Sequence, residues 1–311
     1  VLYVAASQID LVQKYVGSGA ARPRLSKVGE RRWAAAKLQA SQATEALAAE
    51  MLRLQALRDT LPRAPYPMDE ALQSQFEGGF PHTLTEDQAR ALDDIRGDLT
   101  SASPMDRLLC GDVGYGKTEL AMRAAFQAVA AGRQVAVLVP TTLLAQQHWE
   151  TFSKRLAPFA VKVEALSRLQ PRPAQARTLK RLAAGELDLV VGTHRLLQND
   201  VCFRDLGLLV VDEEQRFGVV HKQKLRKLKA TVDVLTLTAT PIPRTLHTAL
   251  LGIRAISNLA VAPHGRQAVR TTVCPYAEEV LAEALRRELA RGGRAFVVHN
   301  RVHSIRAFTE I

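Results

Sequence analysis

An α/β fold, a parallel β-sheet covered by helices on both faces, is predicted here by three observations. The run Leu108-Leu109-Cys110-Gly111-Asp112-Val113-Gly114-Tyr115-Gly116-Lys117-Thr118 fits G-x-x-x-x-G-K-[ST]. A short apolar strand precedes its glycines, and the helix-forming stretch Glu119 to Ala131 follows. From Tyr66 onward, the runs Gln134–Val139, Val161–Leu166, Leu187–Val191, Leu208–Val211 and Val234–Leu237 are short and β-branched or leucine-rich, with amphipathic helical stretches between them. The fourth of these runs directly into Asp212-Glu213-Glu214-Gln215. Nearly continuous apolar strands alternating with helices belong to parallel sheets buried on both faces. Ligands of such sheets sit at the carboxyl ends of the strands, and each polar motif of this chain falls there.

The glycine-rich run carries the first chemistry. Backbone N–H groups from Gly111 through Asp112, Val113, Gly114, Tyr115 and Gly116 can converge on an anion, and the following helix N-terminus adds partial positive charge. Lys117 reaches the β- and γ-phosphates of such a ligand, and the Thr118 hydroxyl is placed for Mg²⁺. This is the pattern of a nucleoside triphosphate site. Across from it, Asp212 is suited to hold Mg²⁺ through water, and Glu213 to orient or deprotonate an attacking water. Lys117, Thr118, Asp212 and Glu213 thus supply most of what phosphoryl transfer needs.

Composition bounds the rest. A chain of 311 residues accommodates about two domains. A formal net charge of +11 and a sequence pI near 9.9 suggest a polyanionic partner, usually DNA or RNA. Cys110, Cys202 and Cys274 are far apart in sequence, with no C-x-x-C pair, which suits reduced thiols in a cytosolic protein. No apolar run approaches the roughly 18 residues of a membrane span, and no signal peptide opens the sequence. Beginning without Met and stopping at Glu310-Ile311 after a strand-like segment, the sequence reads as a piece of something longer.

Four segments are expected. Residues 1–30 hold short strands at Val1 to Val4 and Leu25 to Val28 around a helical turn at Gln8 to Val16. Residues 31–65 are dominated by Arg31 to Leu61, free of Gly and Pro, which at roughly 1.5 Å per residue makes a helix of about 45 Å. Trp33, Ala40, Leu47, Leu54 and Leu61 recur every seventh position beside Ala36, Ala43 and Leu57, and Glu50 breaks the stripe. Such a narrow stripe fits a connecting helix docked along another domain, or a coiled-coil dimer. Pro62, Pro65 and Pro67 end it. Residues 66–262 hold the nucleotide domain. Residues 263–311 open a second one, with a helix at Ala277 to Arg291, a stop at Gly292-Gly293 and a strand at Arg294 to His299.

Taken in order, Gly111 to Thr118, Asp212-Glu213-Glu214-Gln215 and Thr238-Ala239-Thr240-Pro241 resemble motifs I, II and III of superfamily 2 helicases. Pro140-Thr141-Thr142-Leu143-Leu144-Ala145 resembles motif Ia, and Val191-Gly192-Thr193-His194-Arg195-Leu196 the next DNA-contacting motif. Phe80 with Gln88 resembles the adenine-reading Q motif. Within the superfamily, Asp212 to Val219 and Thr240-Pro241-Ile242-Pro243-Arg244-Thr245-Leu246 are similar to the bacterial transcription-repair coupling factors. The fork- and junction-remodelling helicases normally end motif II in Gln-His, where this chain has Glu214-Gln215. Leu2 to Gly17 also resembles the end of the coupling factors' polymerase-interacting, Tudor-like domain.

The resemblance implies RecA-like nucleotide domains and a double-stranded DNA translocase, an ATP hydrolase using ATP and Mg²⁺. Such a motor acts in the cytoplasm, pushes on stalled RNA polymerase and recruits nucleotide-excision repair proteins. It implies that Phe80 and Gln88 read adenine and that Thr141, Thr142, Thr193 and His194 face the phosphate backbone. Thr141 and Thr142 suit a helix N-cap equally well. It also implies that Thr238, Thr240 and Arg244 couple nucleotide state to DNA grip. The basic run Lys222 to Lys229 fits either a solvated helix face or a DNA contact. The family's later motifs, with an arginine finger worth roughly 10³–10⁵ in rate, are expected beyond Ile311. Residues 1–311 alone should therefore bind ATP but hydrolyse it poorly, and should hold polymerase weakly or not at all. Two other functions fit the same motifs. One is the motor of a fork- or Holliday-junction-remodelling helicase. The other is a non-catalytic, nucleotide-gated module binding DNA or polymerase.

Overall fold

The structure, a computed structural model, describes residues 63–218, 221, 224–225, 231–239, 254–263 and 271–299, with separate positions between 35 and 60. The strands expected within 1–30, the segment from Thr240 through Arg244, and most of the basic run 222–229 lie outside the described residues. The described positions between 35 and 60 are all helical. The chain divides into two compact units, 1–264 and 265–311.

The first unit is a seven-stranded sheet, parallel at every pairing. Its strands are β1 (Asp106–Gly111), β2 (Gln134–Leu138), β3 (Val163–Leu166), β4 (Leu189–Gly192), β5 (Leu206–Asp212), β6 (Asp233–Thr238) and β7 (Ala255–Leu259), in the spatial order β3-β4-β2-β5-β6-β1-β7. Each interior strand is buried along most of its length and largely apolar, because neither face meets water. Strict alternation then divides the side chains between two cores. Val135, Val137, Leu208 and Val210 point to one, and Ala136, Leu138, Leu209 and Val211 to the other.

The first core is roofed by α1 (Glu70–Gly78), α2 (Glu86–Thr100), α3 (Lys117–Ala130) and α4 (Thr142–Leu156), which bury Phe76, Ile95, Phe126 and Phe152. The second is closed by α5 (Arg172–Ala184) through Leu182, together with Leu196, Phe217 and Leu225. Helices therefore cover both faces, as the alternation of segments predicts. Strand β7 is not anticipated by the sequence, because Ser257 and Asn258 interrupt its apolar character. Arg107 resolves the polarity of Ser257. Its Nη1 donates to the Ser257 hydroxyl at 2.8 Å and to Asp94 at 3.0 Å, while Nε donates to Asp98 at 2.6 Å.

The second unit contains α6 (Glu278–Ala290), which ends beside Gly292 as expected. Residues 294–299, expected as a strand, make no sheet pairing. Phe296 and Val298 there are exposed. An extended apolar run becomes a strand only when a neighbour completes its ladder, and among the described residues none does so. No helix of the described residues is long and apolar enough to cross a membrane.

Two anchors hold the first unit at opposite ends of its strands. At the amino ends, fully buried Asp233 accepts the Met105 N–H at 2.5 Å and pairs with Arg63 at 3.2 Å. Burial pushes its carboxyl above the ordinary range, against the pull of the Met105 N–H, the Tyr66 hydroxyl, Arg63 and Arg58. Arg58 donates to the carbonyls of Met105 at 2.5 Å and Val232 at 3.1 Å. At the carboxyl ends, Asp87 accepts the N–H groups of Ala260 and Val261, both at 2.9 Å, pinning the chain just beyond β7.

Removing Asp233 leaves buried guanidinium charge uncompensated, so Asp233→Ala should cost about 3–5 kcal/mol, read as a lower denaturant midpoint at unchanged slope. The Ala260 N–H foremost, then that of Val261 and the Arg90 pair, hold the Asp87 carboxyl below its usual value against burial. Its contribution is therefore complete above about pH 4 and is lost as pH falls through the lower folded value. Asp87→Asn should cost about 1–3 kcal/mol at neutral pH and flatten the acid limb of a stability–pH curve measured by urea unfolding.

Candidate nucleotide site

The parallel register brings the motifs together. Leu109 of β1 and Asp212 of β5 both pair with Leu237 of β6, so the glycine-rich loop and the acidic tip flank the end of β6. The loop leaves β1 at Gly111, where a Cβ would lie 2.9 Å from the Leu259 side chain of β7. Only glycine lets β7 pack this closely. Gly116 then enters α3 with φ +76°, and a Cβ on it would come within 2.4 Å of Gln88 Nε2. Lys117 Nζ donates to the carbonyls of Gly111 at 2.5 Å and Asp112 at 3.0 Å. The Asp112 carboxylate closes the turn by accepting the Val113 N–H at 2.7 Å.

Burial lowers the Lys117 pKa, and Asp212, Glu213 and Asp112 act in the opposite direction. A half-buried ammonium thus sits on two loop carbonyls within the field of three carboxylates. That donor set suits a metal-bound polyphosphate, with Lys117 and the loop N–H groups for the anion and Asp212 and Thr118 for Mg²⁺. Glu213 adopts a left-handed backbone, φ 51° and ψ 54°. Its N–H donates to Leu237 O at 2.9 Å, and its Oε1 accepts the Ala239 N–H at 2.8 Å. The Gln215 amide donates to the other Glu213 oxygen and lies 3.5 Å from the Thr238 hydroxyl. Glu213, Gln215 and Thr238 are therefore joined at the tip of β6, with the glycine-rich loop on one side of that strand and Asp212 on the other.

The remaining expected site residues have these local surroundings. Gln88, expected at adenine, is buried, with both ends of its amide in use. Its Oε1 accepts the Thr85 N–H at 2.9 Å within a capping box, and Nε2 donates to Tyr115 O at 3.0 Å. Here it clamps the phosphate loop. Phe80 packs beside His82 and beneath the Arg123 and Arg155 guanidinium groups, 5.6 and 6.0 Å from its ring centre. Thr141 is the N-cap of α4, accepting the Leu144 N–H at 3.2 Å, and Thr142 begins the helix. Thr193, expected to face phosphate, is 1% exposed, because the tight turn after β4 rotates its side chain inward. His194 is half-buried with its ring 5.1 Å from that of His221. Burial, then His221 and Arg168, lowers its pKa. Of the coupling residues, only Thr238 is among the described ones.

Sequence reasoning missed His148 on α4, whose Nε2 is 3.3 Å from Asp212 Oδ2. The available signal was spacing, since a polar residue lies on the stripe Ala145, His148, Phe152, Leu156 that otherwise turns to the core.

The family described as DEAD/DEAH box helicase matches residues 85–249. A transcription-repair-coupling factor of Bacillus subtilis (strain 168) is 49% identical over 304 residues, 98% of this chain and 26% of that protein. Its counterpart in Staphylococcus haemolyticus (strain JCSC1435) is 50% identical over the same shares. The chain thus spans 26% of the length of these curated relatives. Among solved structures, RecG bound to a three-way DNA junction has a TM-score of 0.70 and 35% identity, covering 86% of this chain and 36% of that one. The DUF1998 helicase MrfA shares the fold, with a TM-score of 0.54 at 14% identity over 79% of this chain and 40% of that one.

A Cβ at position 116 meets both a left-handed backbone and Gln88. Gly116→Ala should cost about 1–2 kcal/mol from the backbone alone, and more from displacing Gln88. In calorimetric melting, adding Gln88→Ala should recover the steric part and leave the backbone part.

Proposed function

The chain belongs to the DEAD/DEAH box helicase family, and from that premise we propose that it is the ATP-binding motor core of a duplex-DNA translocase of the transcription-repair coupling kind. The observation that carries this is the connected group at the β6 tip. The loop bearing Lys117 and the acidic tip flank the end of β6, and Gln215 joins Glu213 to Thr238. Identity of 49–50% to coupling factors over 98% of the chain supports the choice within the family.

When bound, magnesium ATP supplies the scissile phosphoanhydride and a cation to offset charge on the transferred group. The chain's own residues do the rest. Lys117 and the loop amides neutralise and orient the phosphates, Thr118 and Asp212 hold the metal, and Glu213 orients the attacking water and takes its proton. Phe80 and Gln88 form the adenine end, with Gln88 relaying to the phosphate loop through Tyr115. Thr141, Thr142 and His194 belong to the duplex-facing surface, where hydroxyl groups, backbone amides and positive charge grip phosphate without reading sequence. Thr193 would support that surface from beneath. Thr240 and Arg244 would complete the coupling segment that Thr238 begins.

Residues 1–30 are assigned as the end of a polymerase-interacting domain, 31–65 as its connector, 66–262 as the first RecA-like domain and 263–311 as the opening of the second. Displacing stalled RNA polymerase and recruiting excision-repair proteins in the cytoplasm belong to the longer protein. Weak hydrolysis by residues 1–311 alone is part of the same proposal. A second reading, the motor of a junction-remodelling helicase, draws support from the likeness to RecG. Competition between a three-way junction and a linear duplex separates the two, and a strong junction preference would favour the second.

Lys117→Ala should weaken binding of a fluorescent ATP analogue at least tenfold, the effect of losing about 1.4 kcal/mol. Glu213→Gln keeps an acceptor for the Ala239 N–H, so nucleotide binding should persist. In a protein extended to the length of its relatives, turnover should fall by about 10²–10⁴; undiminished turnover there would remove Glu213 from the role of base.

A further inference from the structure

His148 lies in the middle of α4, and its ring is almost enclosed, with 11% of the side chain exposed. Nε2 stands 3.3 Å from Asp212 Oδ2. Nδ1 is buried without a hydrogen-bond partner, and the ring leans on Phe152 at 6.1 Å between centres. An apolar side chain would fill this place on the core-facing stripe at no polar cost. Leaving a buried imidazole nitrogen unpaired is destabilising. What the histidine gains in return is its contact with Asp212.

That contact joins two parts of the site. Asp212 ends β5, whereas α4 starts at the tip of β2, capped by Thr141. One helix thus presents its first turn to the surface assigned to duplex DNA and its second turn to the acid assigned to the metal. We propose that His148 is a positioning residue that couples the two: its Nε2–H fixes the Asp212 carboxylate, so a shift of α4 on DNA changes how well Asp212 holds magnesium nucleotide. This rests on the function proposed above. Because such coupling is reciprocal, DNA and nucleotide must alter each other's affinity by the same factor.

The test is equilibrium binding of a fluorescent non-hydrolysable ATP analogue to the full chain, with and without saturating linear duplex. It compares wild type, His148→Phe, which keeps ring volume without a donor, and His148→Gln, which restores an N–H. In magnesium, duplex should change wild-type affinity at least about fivefold. His148→Phe should reduce that ratio to within about twofold, and His148→Gln should recover most of it on a logarithmic scale. With EDTA replacing magnesium, the ratio should be near one in all three proteins. A ratio in His148→Phe equal to wild type overturns the inference, as does a wild-type ratio of one. A purely structural role would lower thermal stability without moving the ratio, and Gln would not rescue it. Absence of any nucleotide binding by folded wild type would instead defeat the motor assignment itself.

Discussion

A lysine ammonium held half-buried among carboxylates is the interaction on which the site depends. Burial disfavours the charge on Lys117, while Asp212, Glu213 and Asp112 favour it. A polyphosphate arriving alone would meet Lys117 and the loop amides but also the acidic pair Asp212 and Glu213. The charge placement thus suits an anion that carries its own divalent cation.

The second constraint is conformational. Glu213 occupies the left-handed region, which costs a side-chain-bearing residue about 1–2 kcal/mol. Its N–H on Leu237 O, its carbonyl on the Arg216 N–H and its carboxylate on the Ala239 N–H hold it there. All three bonds are local to the tips of β5 and β6. A change in what the carboxylate faces must therefore register at Ala239, where the segment toward Thr240 and Pro241 departs. The strained residue is an acid bent back onto the neighbouring strand.

Legibility from sequence followed burial. Strands β1 to β6 were readable because each carries a short run rich in leucine or β-branched residues, most of it buried in every strand but β3. Strand β7 was not, because Ser257 is satisfied by Arg107 from β1, a partner far away in sequence. The phosphate loop and acidic tip were readable because their chemistry fixes residue type and spacing at once. For Gln88 and Thr193 the residue type did not reveal the local partners: the Gln88 amide bonds Thr85 and Tyr115, and the Thr193 side chain is turned inward. Residues 294–299 show a limit, since strand propensity names no partner. His148 could be noticed as a misfit on an apolar stripe, but its meaning needed β5 beside it in space.

Opposite ends of two strands explain why the geometry holds. Strands β1 and β6 finish at Gly111 and Thr238, inside the site. Their starts receive Arg58, through Met105 O and Val232 O, and Arg63, through Asp233. A buried charge cluster is a weak source of net stability, because desolvation offsets most of its attraction. It is a strong constraint on arrangement, because each member is costly to leave unpaired. The helical segment bearing Arg58 is thus locked to the same two strands that carry the phosphate loop and the tip beside Glu213. Catalytic groups need placement to within about half an ångström, and a hydrogen-bonded strand fixed at its base provides that where a loop anchored only at the site would not.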